Sequence, residues 1–252
     1  MTVPSRSLRC VVPASPAGPD DVDRLARCLV ALWASVEGAR AIVVLHDEAD
    51  PAVVGPLAAA AEELGFELDG VDGNRAAAVN AGLRLALAEG SDALLIDPAV
   101  ELAPGPWLAT LRARDTAAVV GGRLVREADG TIHRAGYYFS RLTRAWQPRL
   151  EFAPAELAQA AEACRCPVDG LTLVRHEALQ RVGLYDEDLP APLDAIDFCL
   201  RVFVAGGECV YEPAAVAAWI GERPEPLERK LAGGFDVKWQ DTDVSPFAPP
   251  VL

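Results

Sequence analysis

The order of segments along this chain predicts an α/β fold, with a mostly parallel sheet flanked by helices. Three observations carry that expectation. Short apolar runs alternate with amphipathic stretches through the first hundred residues. Helix start and stop residues bracket the amphipathic stretches. The apolar runs are continuous rather than alternating, as strands covered on both faces are.

Element by element, "LRCVVPA" reads as a strand ended near Pro13, and "PDDVDRLARCLVALWAS" as a helix with acidic residues in its first turn. "ARAIVVLHD" is a second strand, rich in β-branched residues. "DPAVVGPLAAAAEELG" is a helix opened by Asp50 as N-cap, with Pro51 at its first position and Gly65 as its stop. "FELDGV", "RAAAVNAGLRLALAEG" and "DALLID" follow as strand, helix and strand. Ligands of such sheets gather at the carboxyl ends of the strands, which nominates Pro13, Ser15, His46, Asp47, Asp72 and Asp97. At His46 two readings stand, an exposed strand-end histidine or a ligand.

The second half changes character. "AAVVGGRLVREADGTIHRAGYYF" predicts two strands around the turn Asp129-Gly130, with His133 expected at a surface strand position. "APAELAQAAEAC" reads as a helix, and "CPVDGLTLVRHEALQRVG" as a strand leading into a short helix with His176 solvated. "LDAIDFCLRVFVAGG" is an amphipathic helix, on which Asp197 and Arg201 form a fold-stabilising pair, and "ECVYEP" is a last strand. Residues 233–252, rich in proline, are expected to form an irregular tail laid over the body. No repeat or linker divides the 252 residues, so 1–252 is read as one domain.

Composition is that of a globular protein, 51% hydrophobic and 24% charged. The net charge of −14 argues against nucleic acid or an anionic membrane as a partner. No apolar run reaches a membrane span, and the first residues lack a secretory h-region. Six scattered cysteines read as reduced, buried thiols, so a cytoplasmic location is expected. Cys164-Arg165-Cys166 lacks the second pair that a metal site needs.

Several stretches, in order along nearly the whole chain, resemble family-2 glycosyltransferases. "GNRAAAVNAGLRLA" followed by "DALLIDPAV" is similar to the helix and metal-binding Asp-x-Asp strand end of that family. "VVGGRLVREADGTIHRAGYYF" resembles its hairpin. "VDGLTLVRHEALQRVGLYDEDL" and "DAIDFCLRVFVAGGECVYEPAAV" resemble its acceptor-side segments. "FDVKWQDTDVSPFAPPVL" resembles the ending of rhamnosyl- and O-antigen-type members. The resemblance implies a GT-A fold, with a nucleotide-binding half over 1–100 joined without a break to an acceptor-side half over 101–232.

It also implies a chemistry. A nucleoside diphosphate leaves as an acceptor hydroxyl attacks the sugar. Its charge is neutralised by Mg²⁺ or Mn²⁺ on carboxylates, and the hydroxyl is deprotonated by a carboxylate base. Here the metal motif reads Asp97-Pro98-Ala99, the base motif reads Asp194-Ala195-Ile196-Asp197, and Trp219 stands where a metal-binding histidine is common. The ligand set for a cation is therefore incomplete and no metal residue is assigned, although Mg²⁺ or Mn²⁺ stays open. Asp194 is the candidate for a displaced base, with Glu187 and Asp188 on the preceding loop. Asp169 stands where the family positions donor and acceptor sugars, and a turn aspartate is its plainer reading.

Three readings follow from the pattern. One is a glycosyltransferase homologue that binds a nucleotide or nucleotide sugar, with impaired or metal-independent transfer. Another is a non-catalytic binding protein, with an active glycosyltransferase as its partner. The third is a GT-A fold redirected to other chemistry.

Overall fold

The computed structural model describes residues 6–36, 40–46, 49–140, 142, 145–158, 166–167, 170–222, 233–239, 241–243 and 247. Its first half alternates as expected: β1 (Leu8–Ala14), α1 (Pro19–Ser35), β2 (Arg40–Leu45), α2 (Pro51–Leu64), β3 (Glu67–Gly70), α3 (Arg75–Glu89) and β4 (Asp92–Ile96). The second half adds β5 (Val100–Glu101), α4 (Trp107–Arg112), β6 (Val119–Arg126), β7 (Ile132–Arg134), β8 (Tyr137–Ser140) and β9 (Ala145–Pro148). It ends with β10 (Leu171–Val174), α5 (His176–Val182), α6 (Leu193–Val204), β11 (Cys209–Trp219) and α7 (Gly233–Trp239).

Local chemistry explains the helix ends. Asp50 caps α2 by accepting from the amide of Ala52, and Gly65 stops it at φ +74°. Asn74 caps α3 through the amide of Ala77. Its amide side chain also donates to the carbonyl of Glu187 at 2.7 Å. One cap thus starts a helix and ties the first half to the second.

A single nine-stranded sheet runs β3-β2-β1-β4-β10-β6-β11-β5, with β7 paired to β6. Strands β1 to β4 pair in parallel. β10 enters antiparallel between β4 and β6, and β11 runs parallel to β6. So β1–β4, β6 and β11 share one direction, while β10, β5 and β7 oppose it. The sheet is mixed, because β10 returns from far along the chain to pair antiparallel with β4 and β6, and β7 folds back on β6 as a hairpin.

Both faces are covered, which is why the strands are apolar at consecutive positions. Val11 of β1 and Leu95 of β4 face a core shared with α3, α5 and α6. Cys10, Val12, Leu94 and Ile96 face the opposite core with α1, α2 and α4. Arg9, at the start of β1, is buried and paired with Glu67 and Glu89. A small two-stranded sheet, β8–β9, lies apart from the main one.

Three expectations are corrected. The stretch 153–164 shows a 3₁₀ turn, Ala155–Ala158, where a helix was expected, and its later residues lie outside the described ones. Arg123 donates to the carbonyl of Ala155, taking up an acceptor that a longer helix would use. The tail is not wholly irregular, because 233–239 form α7. Phe235 packs edge-on to Trp146, Trp239 donates to Asp197 at 2.9 Å, and Lys238 pairs with Asp186 and Asp197. So short a helix, begun by two glycines, is stabilised by docking and not by propensity. Finally, His176 is buried, its amide held by Asp92. No helix among the described residues is long and apolar enough to cross a membrane.

Gly82 marks a close approach of α3 to β1, since a Cβ there would lie 2.3 Å from a methyl of Val11. Gly82→Ala gains up to ~1 kcal/mol of helix propensity but forces overpacking that costs ~1–3 kcal/mol. The expected net effect is a lower urea midpoint; an unchanged or higher midpoint would contradict the packing.

Candidate functional site

The carboxyl ends of β1, β4 and β11 and the entry of β10 meet at a cleft divided into two chambers. The inner chamber, of about 250 Å³, is lined by Arg75, His133, Arg134, Tyr185, Ala195 and Thr172, among others. The outer chamber, of about 230 Å³, is lined by Ser15, Pro16, Arg24, Ala99, Gly221 and Glu222, among others. Asp97 and Trp219 line both.

The fold therefore gathers positions far apart in sequence. Pro13 reaches the inner chamber and Ser15 the outer one. Ala99, Ala195 and Trp219, which stand in place of the chemistry implied by the resemblance, all reach the cleft. His46 and Asp72 line neither chamber: His46 is half-buried after β2 and Asp72 is exposed. Asp47 and Asp169 lie outside the described residues, as does Cys164.

Asp97 is set by local geometry. Its amide donates to the carbonyl of Gly170 at 2.8 Å, and its carboxylate accepts from the amide of Ala99 at 2.9 Å. Gly170 holds φ +76°, and a Cβ there would press on Leu124 at 2.9 Å and Asp97 at 3.3 Å. Ala99 is buried against Gly221, where an added Cβ would come within 2.7 Å of the alanine methyl. Packing at residue 99 thus leaves little room for a longer side chain.

These donors do not fit a divalent cation. Such an ion takes several oxygen or nitrogen ligands. Residue 99 is alanine and residue 219 tryptophan, which leaves Asp97 with Asp21 and Glu222 of the outer lining, and Asp21 is committed to Arg24. Among the described residues no three His, Cys, Asp or Glu side chains are grouped to hold a metal.

Asp194 is fully buried and does not line the cleft. One carboxylate oxygen accepts from the amide of Ala195 at 2.7 Å and the other pairs with Arg75 at 3.2 Å. Burial pushes its carboxyl above the usual range, against the pull of Arg75. Its observed task is to hold Arg75 at the chamber wall. Glu187 instead joins the loop to α3, accepting from Asn80 and Arg84. Asp188 is exposed and does not line the inner chamber.

The inner chamber is cationic in its lining. Arg75 and Arg134 contribute guanidinium groups, and Asp97 is the one carboxylate among its described lining residues. Arg134 is oriented by Glu151 at 3.1 Å and lies over the ring of Tyr137. Neither arginine was singled out from the sequence. Arg75 had a usable signal, because it opens a helix just after the carboxyl edge of β3. Arg134 had none, since its place depends on how the hairpin folds back.

His133 departs from its expected surface position: it is 1% exposed. Its ring stacks on Trp219 with centroids 3.8 Å apart and planes 14° from parallel, an arrangement worth ~0.5–1.5 kcal/mol.

No protein-family model matches the chain, and no curated protein sequence does. Its fold is similar to that of solved structures. GalNAc-T7 with UDP, GalNAc and Mn²⁺ aligns with TM-score 0.64 at 14% identity, covering 87% of this chain and 44% of that one. The mannosyltransferase PcManGT from Pyrobaculum calidifontis, in complex with GDP-Man and Mn²⁺, aligns with TM-score 0.61 at 18% identity, covering 96% and 66%. The chain is thus shorter than both, spanning less than two thirds of the first and about two thirds of the second. These likenesses show the fold, which is of the GT-A type.

Burial, reinforced by Arg134 and Arg126, pushes the His133 imidazole down to about 3 from 6.5. An unfolded chain takes up this proton near pH 6.5, and the folded one only near the lower value. The stability contributed by neutral His133 is therefore complete above pH 6.5 and lost as pH falls toward 3. His133→Phe, which keeps a ring on Trp219, is expected to lose less stability than the parent between about pH 7.5 and about pH 4.5. Urea midpoints at the two pH values test this; equal losses would contradict the buried neutral imidazole.

Proposed function

We propose that this chain binds a nucleotide or nucleotide sugar in the divided cleft without a divalent cation, and that its capacity for sugar transfer is impaired. The observation that carries the reading is the meeting of Asp97, Ala99, Ala195 and Trp219 at one cleft, beside Arg75. The GT-A-type scaffold and the nucleotides held by the two similar solved structures support the ligand class. The donor set speaks against carrying their Mn²⁺ over.

A departing diphosphate needs its developing charge matched. A guanidinium supplies fixed positive charge and paired N–H donors, which suit phosphate oxygens. Arg75 is the first candidate, because Asp194 holds it at the wall near Asp97. Arg134 would add charge from the hairpin side.

Removing a proton from an acceptor hydroxyl is the weaker half of the machinery. Ala195 has no basic atom. The carboxylate of Asp194 is bound to Arg75 and an amide, away from the lining. His133 is a feeble base once its pKa is pushed down to about 3. In the inner chamber Asp97 is left, with one oxygen already accepting from Ala99. This scarcity is why transfer is read as impaired.

Calorimetric titration with UDP, GDP and dTDP, each with Mn²⁺ and with EDTA, tests the reading. At least one is expected to bind, with the same affinity in both conditions. Arg75→Ala is expected to weaken that binding about ten- to hundredfold, the loss of a charged hydrogen-bond donor. Binding that depends on Mn²⁺ would overturn the metal-free part, and failure of all three nucleotides would overturn the ligand class.

A further inference from the structure

Two walls of the inner chamber come from the second half of the chain. His133, Arg134 and Tyr137 line it from the hairpin side, and Tyr185, Pro192 and Ala195 from the loop 185–192 and α6. Tyr137 belongs to the small β8–β9 sheet, which lies apart from the main one. The loop is tied to α3 through Asn74 and Asn80. One further element, the C-terminal helix α7, touches the supports of both walls.

On the hairpin side the contact is aromatic. Phe235 of α7 is buried and meets Trp146 of β9 edge-on, with ring centroids 6.2 Å apart. Trp146 stands edge-on to Phe139 of β8 at 5.8 Å, two residues from Tyr137. Past the helix, Phe247 extends the cluster, 5.6 Å from Trp146 and 5.0 Å from Phe203 of α6. On the loop side the contact is charged. Lys238 Nζ lies 2.6 Å from Asp186, the neighbour of Tyr185, and 2.8 Å from the buried Asp197 of α6. Asp197 also accepts from the indole of Trp239 at 2.9 Å. Seven residues opened by two glycines are too few to hold a helix by themselves. The helix therefore depends on both sets of contacts, and losing either one loosens the other.

We propose that α7 is a clamp that couples the two walls of the inner chamber and so sets how tightly the chamber holds its ligand, with Lys238 as a positioning residue on the loop side. Lys238 lines neither chamber and acts through Asp186 and Asp197. A ligand that needs both walls in place binds the docked form, so its apparent affinity falls with the fraction of chains in which α7 is docked. The ligand half of the proposal rests on the nucleotide reading, and the coupling of the walls does not.

Amide hydrogen exchange on the whole chain, with no ligand added, tests the coupling. Lys238→Met cuts the loop-side ion pairs and Phe235→Ala the hairpin-side packing. Each is expected to speed exchange about tenfold at both the loop 185–192 and the β8–β9 sheet, with β1 and β2 unchanged. The double variant should exchange no faster than the faster single one, because both release the same helix. Lys238→Arg, which keeps the charge, should behave as the parent. Should Lys238→Met fail to fold by circular dichroism, Asp186→Asn removes the outer ion pair, leaves Asp197 paired and carries the same expectation. Calorimetry with UDP, GDP and dTDP reads the ligand half: Lys238→Met should weaken whichever nucleotide the parent binds about tenfold, and Lys238→Arg should restore it. Faster exchange at the altered wall alone, or a rise that extends equally to β1 and β2, overturns the clamp. Both walls loosened with affinity unchanged overturns its hold on the ligand. A parent that binds none of the three defeats the nucleotide reading and the ligand half with it, while exchange by itself still decides the coupling.

Discussion

Because β10 runs against its neighbours β4 and β6, it enters the sheet at the edge where β4 leaves it. That reversal sets Gly170 beside Asp97 and closes the hydrogen bond between them. It also delivers α5, the loop 185–192 and α6 to the sheet face that already carries α3. Arg75 and Asn80 of α3 then meet Asp194, Tyr185 and Glu187. Both chambers take walls from each half of the chain, so the cleft depends on this one ladder. A parallel strand in its place would need a long crossover and would present its other end to Asp97.

Buried charge sets the second constraint. Asp194 and Asp197 lie three residues apart on α6, both fully buried, and a buried carboxylate is tolerated only when paired. Asp194 is satisfied by Arg75 and an amide. Asp197 is satisfied by Arg201, Lys238 and the indole of Trp239. The first pairing places a guanidinium in the cleft, and the second docks the C-terminal helix behind it. A carboxylate buried and committed in this way does not reach the cleft, even one residue from Ala195, which does. Ala99, Gly221 and Trp219 show the same economy in packing: two small residues and one large ring lie in close contact at the outer chamber.

The alternation of the first half, the caps of α2 and the edge on which the cleft lies were legible from residues alone. Periodicity, Asp50 and Gly65 act over one or two turns, where local interactions suffice. Pro13, Ser15 and Asp97 were legible as well, because strand ends of a parallel sheet share an edge. The hairpin side was not. His133 sits on a short strand whose burial is decided by Trp219, more than eighty residues away. Arg134 reached the cleft only through the fold of the same hairpin.

What the sequence determined by itself, then, is the scaffold and the absence of acidic groups at positions 99 and 195, since apolar pattern and side-chain chemistry are properties of each segment. Tertiary structure alone decided that Asp194 serves Arg75, that Lys238 and Trp239 order a glycine-led helix, and that Trp219 lines both chambers. Each of those outcomes depends on a partner distant in the chain, and burial, charge pairing and ring stacking take effect only once folding has brought the partners together.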